Sequence, residues 1–136
     1  MKSKKKKKSI SFLKKKLWGL TRQIVFRKHG NSCFTCGARN LTGANLQCGH
    51  FIPSSTCGAF LRYDFRNLRP QCFRCNINGG GQGAEFYKNV VKIEGQEYVD
   101  QLFRDKNIIV KADAGWYQEK IDLYTGYLES SDIINK

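Results

Sequence analysis

Apolar residues at Phe12, Leu13, Leu17, Leu20, Ile24 and Val25 recur at the helical period. They predict one amphipathic helix, capped by Ser9 or Ser11 and running to about Lys28. Lys14, Lys15, Lys16, Arg22 and Arg27 fall mostly off that stripe, so the helix packs by one face and offers cations from the other. A calmodulin-target or membrane-surface helix has the same pattern. Gly30 and Asn31 end it. Residues 46–52 predict a short extended segment stopped by Pro53, and 53–59 a loop. In 60–65, Arg62 and Asp64 alternate with Leu61, Tyr63 and Phe65, which predicts a second strand. A short helix is expected near Cys72. Residues 79–83, rich in glycine, predict a flexible break, and no phosphate loop, since no Gly-Lys-Ser/Thr follows.

Two helices are expected next, over 84–93 and 96–106, burying Phe86, Tyr87, Val90, Val91, Tyr98, Val99, Leu102 and Phe103. A last one covers 114–128, with Trp116, Ile121, Tyr124 and Leu128 on its apolar positions. The fold class is α+β: a small stapled core with flanking helices. At 136 residues the chain suits one domain, short enough for a staple to matter.

Charge changes this picture at one end. Residues 1–30 carry twelve of the 24 lysines and arginines and no acid, whereas 31–136 carry the other twelve against eleven acids. A nearly neutral body thus bears a basic arm, including five consecutive lysines at 4–8. Residues 1–8 are expected to be disordered, because like charges repel and nothing there can bury. The arm favours a polyanion: DNA, RNA or an anionic membrane surface. No apolar run approaches the roughly 20 residues of a membrane span. Lys14–Lys16 break any signal-peptide core. The expected setting is the cytoplasm, where six cysteines read as metal ligands rather than disulfides.

The cysteine spacing gives the strongest chemical signal. Cys33-x-x-Cys36 is followed, after 35 residues, by Cys72-x-x-Cys75. Each pair can bind from one tight turn, and four thiolates satisfy a tetrahedral structural zinc. The spacing also fits an iron–sulfur cluster, but nothing suggests redox work. Cys57 reads as a free thiol in a loop. Cys48 shares a strand face with His50, either as a second ligand or as a small buried residue. The other histidine, His29, ends the first helix, where a cation suits the dipole.

Three segments, LQCGHFI at 46–52, LRYDFRN at 61–67 and QCFRCN at 71–76, carry a family resemblance. It extends more weakly into 14–36 and 93–99. They resemble the His-Asn-His (ββα-metal) nucleases built on a treble-clef zinc centre, and more narrowly the NinG/Rap recombination endonucleases of lambda-like phages. The resemblance covers about residues 10–105. It implies a treble-clef core within a nuclease domain at 9–106, a C-terminal helical extension at 107–136, and a phage protein in the host cytoplasm. It also implies metal-dependent cleavage of DNA phosphodiesters. His50 maps to the general base, or is itself a metal ligand with Asp64 or Cys48 nearby. Asn67 maps to the residue that pins the loop and orients the imidazole. Asn76, with Asn78 as a neighbouring substitute, offers a carbonyl oxygen to Mg²⁺ or Mn²⁺. The wider group usually has Asp or His immediately before the base; this chain has Gly49, which the NinG-like pattern also admits.

Arg62, Arg66, Arg69 and Arg74 cluster around these segments, interleaved with Phe60, Tyr63, Phe65 and Phe73. With Lys14, Lys15, Lys16 and Arg22, some are expected to bind phosphates, while most aromatics are core. Phosphate contacts position without reading sequence. The family resemblance adds branched DNA such as Holliday junctions, cut by a homodimer. The alternative is a non-catalytic zinc module that binds DNA or RNA; a ribosomal or membrane-surface protein is a third reading.

Overall fold

A computed structural model describes residues 8–130. The disorder expected of the basic tail falls almost wholly on residues 1–7, outside the described residues, as do 131–136. The first helix, α1 (Ile10–His29), starts where Ser9 Oγ accepts the Phe12 amide at 3.1 Å and ends at Gly30, which takes φ 84°. Its buried face is Leu13, Leu17, Thr21, Ile24 and Val25. Thr21 satisfies its hydroxyl by donating to the Leu17 carbonyl at 2.7 Å. Phe12, read as part of the apolar stripe, is exposed instead.

The sheet has two strands, β1 (Gln47–His50) and β2 (Leu68–Gln71), paired antiparallel with Cys48 opposite Pro70 and His50 opposite Leu68. The partner of β1 is therefore not the 60–65 segment predicted as a strand. That segment holds a helical turn, α2 (Ala59–Arg62), and a 3₁₀ turn at Phe65–Asn67. Asp64 starts the latter by accepting the Arg66 amide at 2.9 Å, a local bond that competes with strand pairing. All four residues of β2 are buried, Arg69 and Gln71 included.

After β2, a π-helical turn at Arg74–Asn78 leads into α3 (Gly83–Glu94) and α4 (Gln96–Asp105), which pack Phe86, Val90, Val99 and Leu102 onto Phe51, Ile52 and Leu61. Cys57 is a free thiol in a loop, as expected, and is buried in that core. The glycine-rich stretch is also not a loose break. Gly79 and Gly81 donate to the Arg74 and Cys75 carbonyls at 2.7 and 2.9 Å, and Gly80 and Gly81 take φ 63° and 90°, which favour glycine. The last helix, α5 (Ala114–Glu129), lies on α1. Its Tyr117, Ile121 and Tyr124 form one core with Leu13, Leu17, Ile24 and Tyr63. Arg27 of α1 donates to the Leu128 carbonyl at 2.9 Å, at the C-terminal end of α5.

Candidate functional site

Two cysteine-bearing turns meet at the end of the sheet. The sulfurs of Cys33, Cys36, Cys72 and Cys75 all lie within 4.8 Å of one another. Sulfurs bound at about 2.3 Å to a tetrahedral zinc would be separated by about 3.8 Å, and Cys36 and Cys72 are 3.7 Å apart. The Cys36 and Cys75 amides point at Cys33 and Cys72 Sγ, at 3.5 and 3.4 Å, so each turn stabilises its own thiolate. The four cysteines can thus hold a structural zinc. Burial opposes ionisation of Cys33, but hydrogen bonds from Thr35 and from backbone amides bring its pKa down to about 6. Burial pushes Cys75 up to about 12. A dication among them removes the repulsion that stops four close thiols ionising together.

His50 closes β1 beside a cleft of about 480 Å³ lined by Trp18, Arg22, Gln47, Cys48, Ser54, Asn76 and Ile77. Its Nε2 lies 3.0 Å from the Arg62 carbonyl oxygen. A carbonyl only accepts, so Nε2 carries the proton and Nδ1 keeps a lone pair. Burial holds the His50 pKa below 6.5, the Arg62 carbonyl works against that, and the Arg62 charge adds to it. Neutral imidazole is therefore the resting form at neutral pH.

Asn67, with no exposed surface, does not reach the imidazole. Its Oδ1 accepts the Ile52 amide at 2.8 Å, and its Nδ2 donates to the Ile52 and Leu61 carbonyls at 3.0 and 3.4 Å. It thereby ties the backbone just after His50 to the residue before Arg62, the two ends of the loop that carries the His50 hydrogen bond. Asn76 shares the cleft with His50. Its Nδ2 donates to Gln47 Oε1 at 3.3 Å, which leaves Oδ1 available to a ligand. Cys48 packs against Val25 and Leu68, and burial pushes its thiol up to about 12, so it is a small buried residue rather than a ready ligand. Asp64 Oδ2 pairs with Arg66 at 2.7 Å. Among the described residues no carboxylate lines the His50 cleft.

The predicted phosphate-binding residues divide. Lys14, Lys15 and Arg62 surround a second hollow of about 380 Å³ that also touches Trp18 and His50. Arg22 lines the first. Lys16 is exposed on α1 and lines neither. Arg74, exposed, lies over the four-cysteine cluster, where the Cys36 sulfur raises its pKa, rather than at the cleft. Arg66 bridges Asp64 and Asp105, at 2.7 and 2.9 Å. Arg69 corrects the expectation outright. It is 3% exposed and donates to the Phe65, Arg66 and Leu68 carbonyls at 3.2, 3.3 and 2.8 Å. Its charge is also met by Glu94 at 3.6 Å, so it holds the fold and leaves the phosphate-binding set. His29 is no cation either: burial, then Arg69 and Lys28, lowers its pKa to about 4.

The family model for the Bacteriophage Lambda NinG protein matches residues 1–131. The chain belongs to the NinG family. It is similar to the protein ninG of Escherichia phage 933W, 32% identical over 75 residues, which are 55% of this chain and 36% of that one. The protein ninG of Escherichia phage lambda is 31% identical over 75 residues, 55% of this chain and 35% of its own length. The chain's match thus spans about a third of these curated relatives. No solved structure matches. Among the described residues of this NinG-family protein, no helix is long and apolar enough to cross a membrane.

Two features of this NinG-family site emerge in the structure. Lys14, Lys15, Trp18 and Arg22 sit three and four residues apart, one helical face; that spacing was visible and would have placed Trp18 among the cations. Gln71 gave no signal. Fully buried, it donates to Thr35 Oγ1 at 3.0 Å and to the Gly81 carbonyl at 2.9 Å, bracing the first cysteine turn and the glycine loop. Its Oε1 would lie 1.8 Å from a Cβ on Gly49. Glycine therefore stands before His50 because Gln71 fills the space. Strand alternation also turns position 49 away from the face of Cys48 and His50. Gly49→Ala is expected to cost about 1–3 kcal/mol by overpacking, seen as a lower urea midpoint; an unchanged midpoint would mean that Gln71 swings aside freely.

Proposed function

We propose that this NinG-family protein is a divalent-metal-dependent DNA endonuclease with a treble-clef, His-Asn-His type core, acting on branched DNA in phage recombination. The observation that carries the reading is the bond from His50 Nε2 to the Arg62 carbonyl, which leaves a basic Nδ1. His50 lines two adjoining hollows, and Arg22, Lys14, Lys15 and Arg62 surround them. In this mechanism Nδ1 takes a proton from water, the hydroxide attacks phosphorus, the P–O bond to the leaving sugar oxygen breaks, and that oxygen takes up a proton from solvent, while the four cations hold the phosphates. Asn67 keeps the loop at its length, and Asn76 Oδ1 would hold the cation. When bound, Mg²⁺ or Mn²⁺ supplies Lewis-acid stabilisation of charge on the phosphate and the leaving oxygen. Mg²⁺ sites usually include one or two carboxylates; with none lining this cleft, the remaining ligands would have to come from the phosphate and water. Two copies would cut two strands of a junction.

The test is incubation with linear, nicked and four-way-junction DNA, with and without Mg²⁺ or Mn²⁺. Cleavage only with metal, strongest on the junction, is expected. Binding without cleavage under either metal would instead make the protein a non-catalytic zinc module. The pH dependence follows from His50. Its depressed pKa keeps the basic form present below 6.5, and activity is lost only as pH falls through that lower value. The acid limb of the rate profile should therefore have its midpoint below 6.5; a midpoint at or above it would refute the assignment of the base.

A further inference from the structure

We infer that Trp18 is a positioning residue for His50: its indole, backed by Tyr63, fixes the plane of the imidazole and so the direction in which Nδ1 is presented. The inference rests on the nuclease reading for its catalytic consequence, but not for its geometry. Pinned at Cγ by its own side chain and at Nε2 by the Arg62 carbonyl, the ring can still turn about the line between them, because the histidine χ2 well is broad. The Trp18 and His50 rings lie 8° from parallel with centroids 5.3 Å apart, an offset stack that removes this freedom.

Trp18 is held in its turn. Tyr63 meets it nearly edge-on at 6.4 Å and 66°. Tyr63 meets Tyr117 of α5 edge-on at 5.9 Å and 87°, and its carbonyl accepts the Tyr124 hydroxyl at 2.6 Å. A line of aromatic contacts thus runs from α5 through Tyr63 and Trp18 to His50. Two helices outside the metal-binding turns set the orientation of the reactive ring. Trp18 also belongs to the face that carries Lys14, Lys15 and Arg22, so the helix that gathers phosphates is the one that aligns the base.

The chain has two histidines, which makes the test direct by proton NMR of the metal-loaded protein. His50→Gln assigns the ring resonances. In the wild type the His50 ring protons should be shifted upfield by the indole ring current. In Trp18→Leu they should move downfield, toward a free imidazole, with those of His29 unmoved. In the cleavage assay Trp18→Leu should lower kcat on the order of 10²-fold, as misplacing a reacting group by about 1 Å does. KM should change little, and Trp18→Phe, which keeps a flat ring, should recover most of the rate. His50 protons without an upfield shift in the wild type would overturn the inference, as would wild-type kcat in Trp18→Leu. If the leucine variant fails to fold, the wild-type spectrum and the phenylalanine variant decide. If the wild type cuts no DNA yet shows the ring-current shift, the nuclease reading falls and the placement of the imidazole by Trp18 stands.

Discussion

Replacing His50 by alanine is expected to slow DNA cleavage by about 10²–10⁴-fold, the usual contribution of a positioned general base, with zinc content unchanged. The site explains both halves. His50 lies at the end of β1, outside the four-sulfur cluster, so its loss would take no ligand from a zinc held there. In the cleft shared with Asn76 no other side chain replaces it as a base: Cys48 is a neutral buried thiol, and the remaining groups lining that cleft are arginine, amides, a hydroxyl, an indole and an isoleucine. His50→Gln is the sharper control, because an amide NH₂ can still donate to the Arg62 carbonyl while providing no base. Metal analysis and cleavage rates on one preparation check the prediction. Cleavage by His50→Ala at the wild-type rate would remove the imidazole from the mechanism.

Removing the metal, by chelation or by Cys72→Ser, should unfold the region from Cys33 through β1 and the stretch from β2 to the glycine loop. Structural zinc can supply about 10–16 kcal/mol, whereas a whole domain is stable by about 5–15 kcal/mol. Here the dependence is acute. The local core is Cys33, Leu41, Cys72 and Cys75, with Leu46 packed against it. Without an ion, two leucines remain to hold that corner. The α1–α5 pair has a core of its own, built on Leu17, Ile24, Tyr117 and Ile121. Hydrogen exchange should then show protection lost in β1, β2 and both cysteine turns, and partly kept in α1 and α5. Uniform protection after zinc removal, verified by metal analysis, would show that the four thiols pack adequately without an ion.

How much of this was legible beforehand depends on whether the decisive contact is local. The long helices were, because α1 and α5 each repeat apolar residues at the period their backbone imposes. The alternation over 60–65 predicts a strand but is equally compatible with a helical turn. The Asp64 bond to the Arg66 amide settles the matter, and such a bond has no periodicity. β2 was missed for the opposite reason: Arg69 and Gln71 make it look polar, yet both are buried with their donors satisfied by surrounding groups. A charge in a sequence reads as a surface charge until the carbonyls around it are known.

The sequence by itself determined which four cysteines could share one metal ion. Two paired thiols can each serve one ion from a single turn, and that constraint is written in spacing alone. It also determined the basic face of α1, which needs only the helical period. The tertiary structure alone decided what His50 is. Its tautomer depends on the Arg62 carbonyl, its ring plane on Trp18, and its neutrality on burial. Each of these comes from a segment distant in the chain, and a side chain's proton and orientation are set by what surrounds it in space.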